Sequence, residues 1–336
     1  MERTEYQILR ALDRQPASFW EIVRSQDSTL SEVTETLRSM LSGGKLSFDP
    51  GTRRFALENP TDLTPVGNGL CPTCQGRGFI LPDPFGRALE RFRELTRDRP
   101  PPLFEYNQGI IDSKDLALKS VVMYIRGDLE KRSILLVGDD DLFSIFLALL
   151  DLSSNLTVLE IDGRLIDYIN RKAEQTGLAV NALQYDVKTP LPPRLSGTYN
   201  AFVTEPPEGL KGMLLFLERA IESLAPRGAG YFGLTTLESS LPKWLAIQKF
   251  LVERQMAITD LLRNFSLYPE ALDPIDNYDQ FPLSREFPVD PGPPDVDYFR
   301  SALIRIEKTA AGTIEQESAL YTDQDTLVTV DPGDKG

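Results

Sequence analysis

Three consecutive carboxylates form the most distinctive turn of the sequence, Gly138-Asp139-Asp140-Asp141, directly after the apolar run 133–137. Such a run predicts a buried parallel strand, and open α/β sheets bind ligands beyond the carboxyl ends of their strands. Neighbouring carboxylates repel anions and raise one another's proton affinity, so the turn favours a cationic amine as ligand. One acid, with Asp141 as the candidate, could instead cap the following helix.

Acids also follow the next two predicted strands. Glu160 and Asp162 stand where a carboxylate commonly accepts hydrogen bonds from ribose hydroxyls. Asp186 follows the third strand, where we expect a contact with adenine. Together with Gly138 and Asp139, these residues are our candidates for binding a nucleoside-type donor.

The fourth predicted strand leads into Thr204-Glu205-Pro206-Pro207-Glu208-Gly209. Two prolines fix a rigid turn that can hold neighbouring polar groups over the crevice. Similar turns occur in amino-group methyltransferases, where an aromatic residue usually follows the prolines. Glu208 in that place indicates an aliphatic amine rather than a base, although the turn could also be only a rigid connector. We take Pro206, Pro207 and Glu208 as acceptor-binding candidates.

The composition narrows the possible chemistry. The 336 residues include no histidine, and 50 acidic against 36 basic residues give a net charge of −14. Without histidine, Ser-His-Asp and Cys-His catalysis are excluded, and proton transfer must fall to Asp, Glu, Tyr or Lys. The acidic excess argues against nucleic acid as a partner and suits a cationic small molecule, although solubility alone also explains it.

Targeting signals and cysteines add little. No run approaches the roughly 18 apolar residues of a membrane helix, and residues 1–5 lack the basic start and apolar stretch of a secretory signal, so we expect a cytoplasmic protein without membrane contact. Cys71 and Cys74 supply two thiolates where a tetrahedral zinc site needs four ligands. We expect two ordinary thiols, while a local disulfide or a metal shared across a dimer stays open.

The order of predicted elements indicates an α/β protein with a class I methyltransferase-like, Rossmann-type doubly wound sheet. Strand signals alternate with helix signals from 133 to 306. Residues 1–60 show three helices and a hairpin, the pattern of a winged-helix domain, for which we expect a pairing or docking role. We expect a linker with the Cys-x-x-Cys insert at 61–103, the catalytic domain at 104–307 and a flexible acidic tail at 308–336.

The motifs, taken in order, resemble those of the branched-chain polyamine synthases, the N4-bis(aminopropyl)spermidine synthases. The resemblance runs from the N-terminal unit to about Ile306 and includes the Cys-x-x-Cys insert. The segments that carry it are Phe104-Glu105-Tyr106-Asn107-Gln108-Gly109, Gly138-Asp139-Asp140-Asp141-Leu142, Glu160-Ile161-Asp162-Gly163-Arg164-Leu165, Pro190-Leu191-Pro192, Thr204-Glu205-Pro206-Pro207-Glu208 and Gly233-Leu234-Thr235.

This resemblance implies transfer of aminopropyl groups from decarboxylated S-adenosylmethionine, as co-substrate, to the secondary amine of spermidine, without a metal. It implies that Asp140 accepts the proton of the amine. Because the attacking amine must be unprotonated, a carboxylate has to take up its proton, and our candidates are Asp140 and, as helper or substitute, Glu205. Tyr106 and Gln108 are further candidates for the acceptor site. We also expect a homodimer. The sequence departs from the family pattern at Glu205 and Asn107, where that pattern has aspartate.

Two other functions fit parts of the sequence. An S-adenosylmethionine-dependent methyltransferase could use the N-terminal unit to recognise nucleic acid or protein, but the net charge of −14 and Glu208 speak against it. A winged-helix regulator could sense polyamines through a degenerate synthase domain. The expected recognition helix near 30–40, which carries Glu32, Glu35 and Arg38, does not favour binding to DNA.

Overall fold

The computed structural model describes residues 2–63, 71, 73–74, 76–270 and 287–309. Apart from residues 308 and 309, the expected acidic tail lies outside the described residues. Within the described ranges no helix is both long and apolar enough to cross a membrane.

The N-terminal unit contains the three predicted helices and the predicted hairpin. Ser18 and Glu21 form a capping box at the start of the second helix, and Thr29 and Glu32 form another at the start of the third. Each box satisfies backbone N–H groups that a helix start leaves without partners. The elements are α1 (Arg3–Leu12), β1 (Ala17–Ser18), α2 (Phe19–Arg24), α3 (Leu30–Ser42), β2 (Leu46–Asp49) and β3 (Arg54–Leu57), with sheet order β1-β3-β2.

This unit packs on the rest of the chain through a shared apolar core. Its buried side chains lie in one cluster with Leu237, Phe287 and Tyr298. Two hydrogen bonds reinforce the contact: the indole N–H of Trp20 donates to the carbonyl of Gly292 at 2.9 Å, and the backbone N–H of Leu30 donates to the carbonyl of Leu237 at 2.9 Å. The N-terminal unit is therefore fixed next to the loop that follows the fifth strand of the large sheet.

A seven-stranded sheet organises the remainder. Its strands are β4 (Ser133–Val137), β5 (Asn155–Glu160), β6 (Asn181–Gln184), β7 (Tyr199–Thr204), β8 (Leu224–Thr235), β9 (Met256–Leu267) and β10 (Arg300–Lys308). The order is β6-β5-β4-β7-β8-β10-β9; β10 runs opposite to the other strands and pairs antiparallel with both β8 and β9. The predicted α/β class with a mostly parallel sheet is confirmed. The carboxyl ends of β4, β5 and β7, with their acidic turns, meet at one edge of the sheet.

Helices cover both faces of this sheet. Alternate residues of β4 point to opposite sides: Ile134 and Leu136 join one core cluster, and Leu135 and Val137 join the other. The first cluster is covered by α4 (Asp83–Leu95), α5 (Ser113–Ile125), α6 (Phe143–Leu150) and α7 (Gly163–Thr176), and the second by α8 (Leu210–Ser223) and α9 (Leu241–Glu253). Helix α4 lies in the segment 61–103, for which the sequence predicts a linker with a small insert and a helix at 85–97, and it packs in the first core.

Candidate active site

The acidic turn after β4 places its three carboxylates in different surroundings. Gly138 has a φ of 75°, a left-handed conformation that glycine adopts readily. The carboxylate of Asp139 accepts hydrogen bonds from the backbone N–H and the hydroxyl of Ser144, in the first turn of α6. The expectation that Asp141 caps this helix is therefore wrong: the capping position is Leu142, which makes no side-chain bond, and Asp139 takes up the N–H group of the first turn.

Asp140 and Asp141 are bound to the segment that precedes α5. Oδ2 of Asp140 accepts from the backbone N–H of Gly109 at 2.9 Å, and Oδ1 of Asp141 accepts from that of Ile111 at 2.7 Å. Burial, and then the neighbouring Asp141, raise the pKa of Asp140 well above its ordinary value. Burial raises the pKa of Asp141 to about 6, although Lys119 opposes the rise. With a pKa of about 6, Asp141 can take up a proton close to neutral pH.

Glu205 at the end of β7 faces this turn and is held from two sides. The ammonium of Lys119 in α5 forms an ion pair with Oε1, and the hydroxyl of Tyr268 donates to Oε2 at 3.3 Å. Burial, and then the charge of Glu205, raise the pKa of Tyr268 well above its ordinary value, which keeps the phenol protonated as a donor. Gly233 on β8 leaves the space that the longer glutamate side chain occupies, since a Cβ there would overlap the carboxylate.

Glu160 and Asp162 are both buried at the end of β5. The carboxylate of Glu160 accepts three backbone N–H groups, those of Asp139, Ile161 and Asp162, at 2.8–2.9 Å. Asp162 caps α7, where its Oδ1 accepts from the backbone N–H of Arg164 at 2.9 Å. Burial alone would raise the pKa of Asp162, but hydrogen bonds from Arg164 and Gln108 hold it below its ordinary value.

Gln108 connects the segment before α5 to the end of β5. Its side-chain amide donates to Oδ2 of Asp162 at 3.0 Å, and its carbonyl oxygen accepts from the backbone N–H of Leu103 at 2.7 Å. Since Gly109 binds Asp140, residues 108 and 109 join the acidic ends of β4 and β5. The structure thus brings Gln108 together with the predicted donor residues.

The turn after β7 is rigid and carries another carboxyl group with a raised pKa, that of Glu208. Pro207 packs so closely on Gly212 of α8 that a Cβ there would lie 2.9 Å from its ring. Glu208 accepts from the backbone N–H of Thr235 and the hydroxyl of Ser239, each at 3.2 Å. Burial, and then the nearby Glu238, raise the pKa of Glu208 to about 8. Pro206, which is part of this turn, is buried.

Two predicted site residues lie apart from this network. The carboxylate of Asp186 accepts from the backbone N–H of Lys188 at 2.9 Å within its own turn, two residues beyond β6. Tyr106 ends a short 3-10 helix, Phe104–Tyr106, and is 40% exposed. No described hydrogen bond joins either side chain to the carboxylates at the ends of β4 and β7.

Sequence reasoning missed three side chains that contact the acids. Lys119 and Tyr268 bind Glu205, and the guanidinium of Arg99 donates to the backbone carbonyl of Asp140. A lone lysine within the apolar stretch 116–123 was the one available signal, because a charged side chain is rarely buried unless it is paired.

The two cysteines of the insert are both free thiols, with Cys71 exposed and Cys74 half-buried. Hydrogen bonds from the backbone and side chain of the Thr73–Cys74 turn lower the pKa of the Cys71 thiol. In the part of the chain that the structure describes, no three Cys, Asp or Glu side chains are placed to share a metal ion.

A family model described as "Branched-chain polyamine synthase A C-terminal domain" matches residues 87–329. The chain belongs to the branched-chain polyamine synthase family. The match begins within α4 and so spans the carboxylates at the ends of β4, β5 and β7.

Relatives within this polyamine synthase family match most of the chain. N(4)-bis(aminopropyl)spermidine synthase of Methanocaldococcus jannaschii is 34% identical over 93% of this chain and 91% of its own length. The enzyme of that name from Thermococcus kodakarensis is 34% identical over 80% of this chain and 78% of its own length. The crystal structure of the branched-chain polyamine synthase from Thermus thermophilus, in complex with N4-aminopropylspermidine and 5'-methylthioadenosine, is similar with a TM-score of 0.81. It is 30% identical and covers 93% of this chain and 89% of that one.

Proposed function

We propose that this protein transfers aminopropyl groups from decarboxylated S-adenosylmethionine to a secondary amine such as N4 of spermidine, giving branched polyamines. The observation that carries the proposal is the meeting of the Asp139–Asp141 turn with Glu205 at the edge of the sheet, where buried acids favour a cation. Decarboxylation removes the anionic group of the donor and leaves an amine that suits this surface. The names of the relatives and the ligands of the Thermus structure support the same reaction.

The proposed transfer needs an unprotonated amine aligned with the leaving sulfur. The amine nitrogen forms a bond to the carbon next to the sulfonium, and the carbon–sulfur bond breaks with its electron pair going to sulfur. Methylthioadenosine leaves as a neutral thioether, and the proton of the secondary amine passes to a carboxylate. No oxidant, reductant or metal enters this balance.

Asp140 is our choice for the proton acceptor, with Glu205 as helper. Both oxygens of Asp139 face Ser144, and Asp141 lies next to the cation of Lys119. Asp140 is half-buried rather than buried, and its Oδ1 accepts no hydrogen bond from any described residue. Burial, and then the neighbouring Asp141, raise its pKa, which increases its affinity for the proton of the amine.

The remaining candidates divide between the two substrates. For the donor we propose the positions at the ends of β4 to β6, where Glu160 keeps lone pairs beyond its three backbone bonds and can accept from ribose hydroxyls. These residues are Gly138, Asp139, Glu160, Asp162 and Asp186. For the acceptor amine we propose the residues around the rigid turn and the segment before α5, namely Tyr106, Gln108, Pro206, Pro207 and Glu208.

The experiment is a donor and acceptor matrix with the full chain. Methylthioadenosine release is measured with decarboxylated S-adenosylmethionine and a panel of polyamines, and S-adenosylmethionine replaces the donor in parallel. We expect turnover with the decarboxylated donor and spermidine. Release of S-adenosylhomocysteine from S-adenosylmethionine, with no methylthioadenosine from the decarboxylated donor, would overturn the proposal in favour of a methyltransferase. Binding of polyamines without release of either product would favour a sensor.

We further infer that residues 1–60 form a winged-helix domain used for docking, with a linker at 61–103 and the catalytic domain at 104–307. Capping boxes, three helices and a three-stranded sheet support the first assignment. A homodimer and a cytoplasmic location stay predictions. One side of α9 exposes three apolar side chains, those of Leu241, Leu245 and Val252, and this surface supports self-association. Light scattering coupled to size-exclusion chromatography measures the oligomeric state.

A further inference from the structure

Lys119 is a charged side chain inside an apolar helix. Helix α5 is buried from Asp115 to Met123, and the side chain of Lys119 is 1% exposed. Burial of an ammonium costs several kcal/mol unless a partner compensates for the lost hydration. Its partner is Glu205, whose side chain is 15% exposed, and the ring of Phe143 lies 5.4 Å from the ammonium.

The charges around Lys119 come from several elements. The turn after β4 contributes two acids, the turn after β7 contributes Glu205, and the chain after β9 contributes the phenol that binds Glu205. Asp115, one turn earlier on α5, is neutralised by Arg77 at 2.8 Å. The titratable and charged groups facing Lys119 or its carboxylate partners are Asp140, Asp141, Glu205, Glu160, Tyr268 and Arg99.

We propose that Lys119 is a positioning residue of the transfer reaction: its ammonium fixes the Glu205 carboxylate at the end of β7 and offsets the negative charge of the Asp140-Asp141 turn. The inference rests on the proposed function and adds to it a residue that contacts neither substrate.

The geometry gives two reasons for this role. Glu205 is anchored by an ion pair at one oxygen and a phenol at the other, so its position depends on Lys119 and Tyr268 together. A second cation, Arg99, reaches the acid turn through the backbone carbonyl of Asp140. Without Lys119 the acids would share a crevice with less positive charge, and they would hold protons to higher pH. The pKa of Asp141 is consistent with this role, because the charge of Lys119 lowers it while burial raises it.

A lysine that only stabilises the fold would behave differently. Lys172 in α7 is a matched control, because it is also buried and pairs with a carboxylate, Asp98, at 2.8 Å, while no described contact joins its side chain to the acids after β4 and β7. Lys172→Met should lower the melting temperature and leave the pH profile of the reaction in place.

The test compares Lys119→Met, Lys119→Arg and Lys172→Met by kcat/KM for methylthioadenosine release across pH. For Lys119→Met we expect the acidic limb of the profile to move up by about one pH unit and activity at neutral pH to fall at least about tenfold. KM for the donor should change little. Lys119→Arg should keep the limb of the wild type, because the positive charge is retained. An unmoved limb in folded Lys119→Met would overturn the proposal.

A second variant pair keeps the proposal testable if Lys119→Met does not fold. Glu205→Asp shortens the acid by one methylene, and Lys119→Arg lengthens the cation. We expect Glu205→Asp to lower kcat/KM, and we expect the double variant Glu205→Asp with Lys119→Arg to be at least about tenfold more active than Glu205→Asp alone. The reason is that the effects of substitutions at two residues in contact are not additive. Additive losses would contradict the positioning role. If the wild-type chain itself releases no methylthioadenosine, the proposed function fails, and the Lys119 proposal fails with it.

Discussion

Gly233 is the position where one added methyl group should separate catalysis from folding. It lies on β8, directly opposite the Glu205 carboxylate, and its lack of a side chain gives that carboxylate room. Gly233→Ala would place a Cβ 2.9 Å from Cδ of Glu205 and inside the contact distance of Oε2. Since carbon atoms pack at about 3.5–4.0 Å, the carboxylate must retreat by about 1 Å.

The displacement acts on an anchored group, so we expect a large kinetic effect. A retreat of about 1 Å pulls Glu205 out of line with Lys119 and Tyr268, and misplacement on this scale costs about 100-fold in rate. Two factors of ten correspond to about 2.7 kcal/mol in the activation free energy. The measurement is kcat for methylthioadenosine release by purified Gly233→Ala at saturating donor and spermidine, with the folded fraction taken from circular dichroism.

Gly230→Ala is the control on the same strand. A Cβ at position 230 would overlap the ring of Phe202, which lies in the core covered by α8 and α9. Gly230→Ala should therefore lower the stability of the protein without moving Glu205. We therefore expect Gly230→Ala to keep kcat per folded molecule, while Gly233→Ala loses it. Wild-type kcat in folded Gly233→Ala would refute the role of Glu205.

Three further changes have defined outcomes. Asp140→Asn should lower kcat by about 10²–10⁴-fold while calorimetry still detects donor binding, and full activity would place the proton acceptor elsewhere. Burial raises the pKa of Glu208 to about 8, so this carboxyl group gains its negative charge between pH 7 and pH 9, and KM for spermidine should fall over that range. Glu208→Gln should abolish this dependence of KM on pH. An equal dependence in the variant would contradict a contact between Glu208 and the amine. Burial raises the pKa of Asp139 to about 8, against about 3.9 in an unfolded chain. Between about pH 3.9 and pH 8 the native state therefore binds a proton that the unfolded chain does not bind. The free energy of unfolding should fall as the pH rises through this range. Chemical denaturation should show that slope flattened in Asp139→Asn; an unchanged slope would assign it to another group.

Strands β4, β5 and β7 could be predicted from the sequence because each is a short, mainly apolar segment followed by a turn. The apolar segments 133–137, 156–161 and 199–204 predict the first, second and fourth strands. Ser133–Val137 and Tyr199–Thr204 have these bounds, and Asn155–Glu160 differs from its prediction by one residue at each end. Helix α5 was not predicted, because it is buried from Asp115 to Met123 and therefore lacks the alternation of polar and apolar faces that marks a helix.

The candidate site, like the fold, could be predicted only in part from the sequence. Acids at strand ends were visible in the sequence, because position relative to a strand fixes where they lie. The partners of those acids were not visible, since Lys119 and Tyr268 reach Glu205 across 86 and 63 residues of chain. The wrong expectation for Asp141 has a similar cause: Leu142 adopts a left-handed conformation, with φ of 59°, and turns the acids so that Asp139 rather than Asp141 faces the helix.

The proposed reaction is tested most directly by the site of bond formation in the product. Decarboxylated S-adenosylmethionine with an isotopically labelled aminopropyl group is incubated with spermidine and the full chain, and the product is fragmented in a mass spectrometer. We predict the label on N4 of a branched product, in equal amount with methylthioadenosine, and a rate of label transfer that is about 10²–10⁴-fold lower in Asp140→Asn. A linear product, or label transfer at the wild-type rate in Asp140→Asn, would contradict the account.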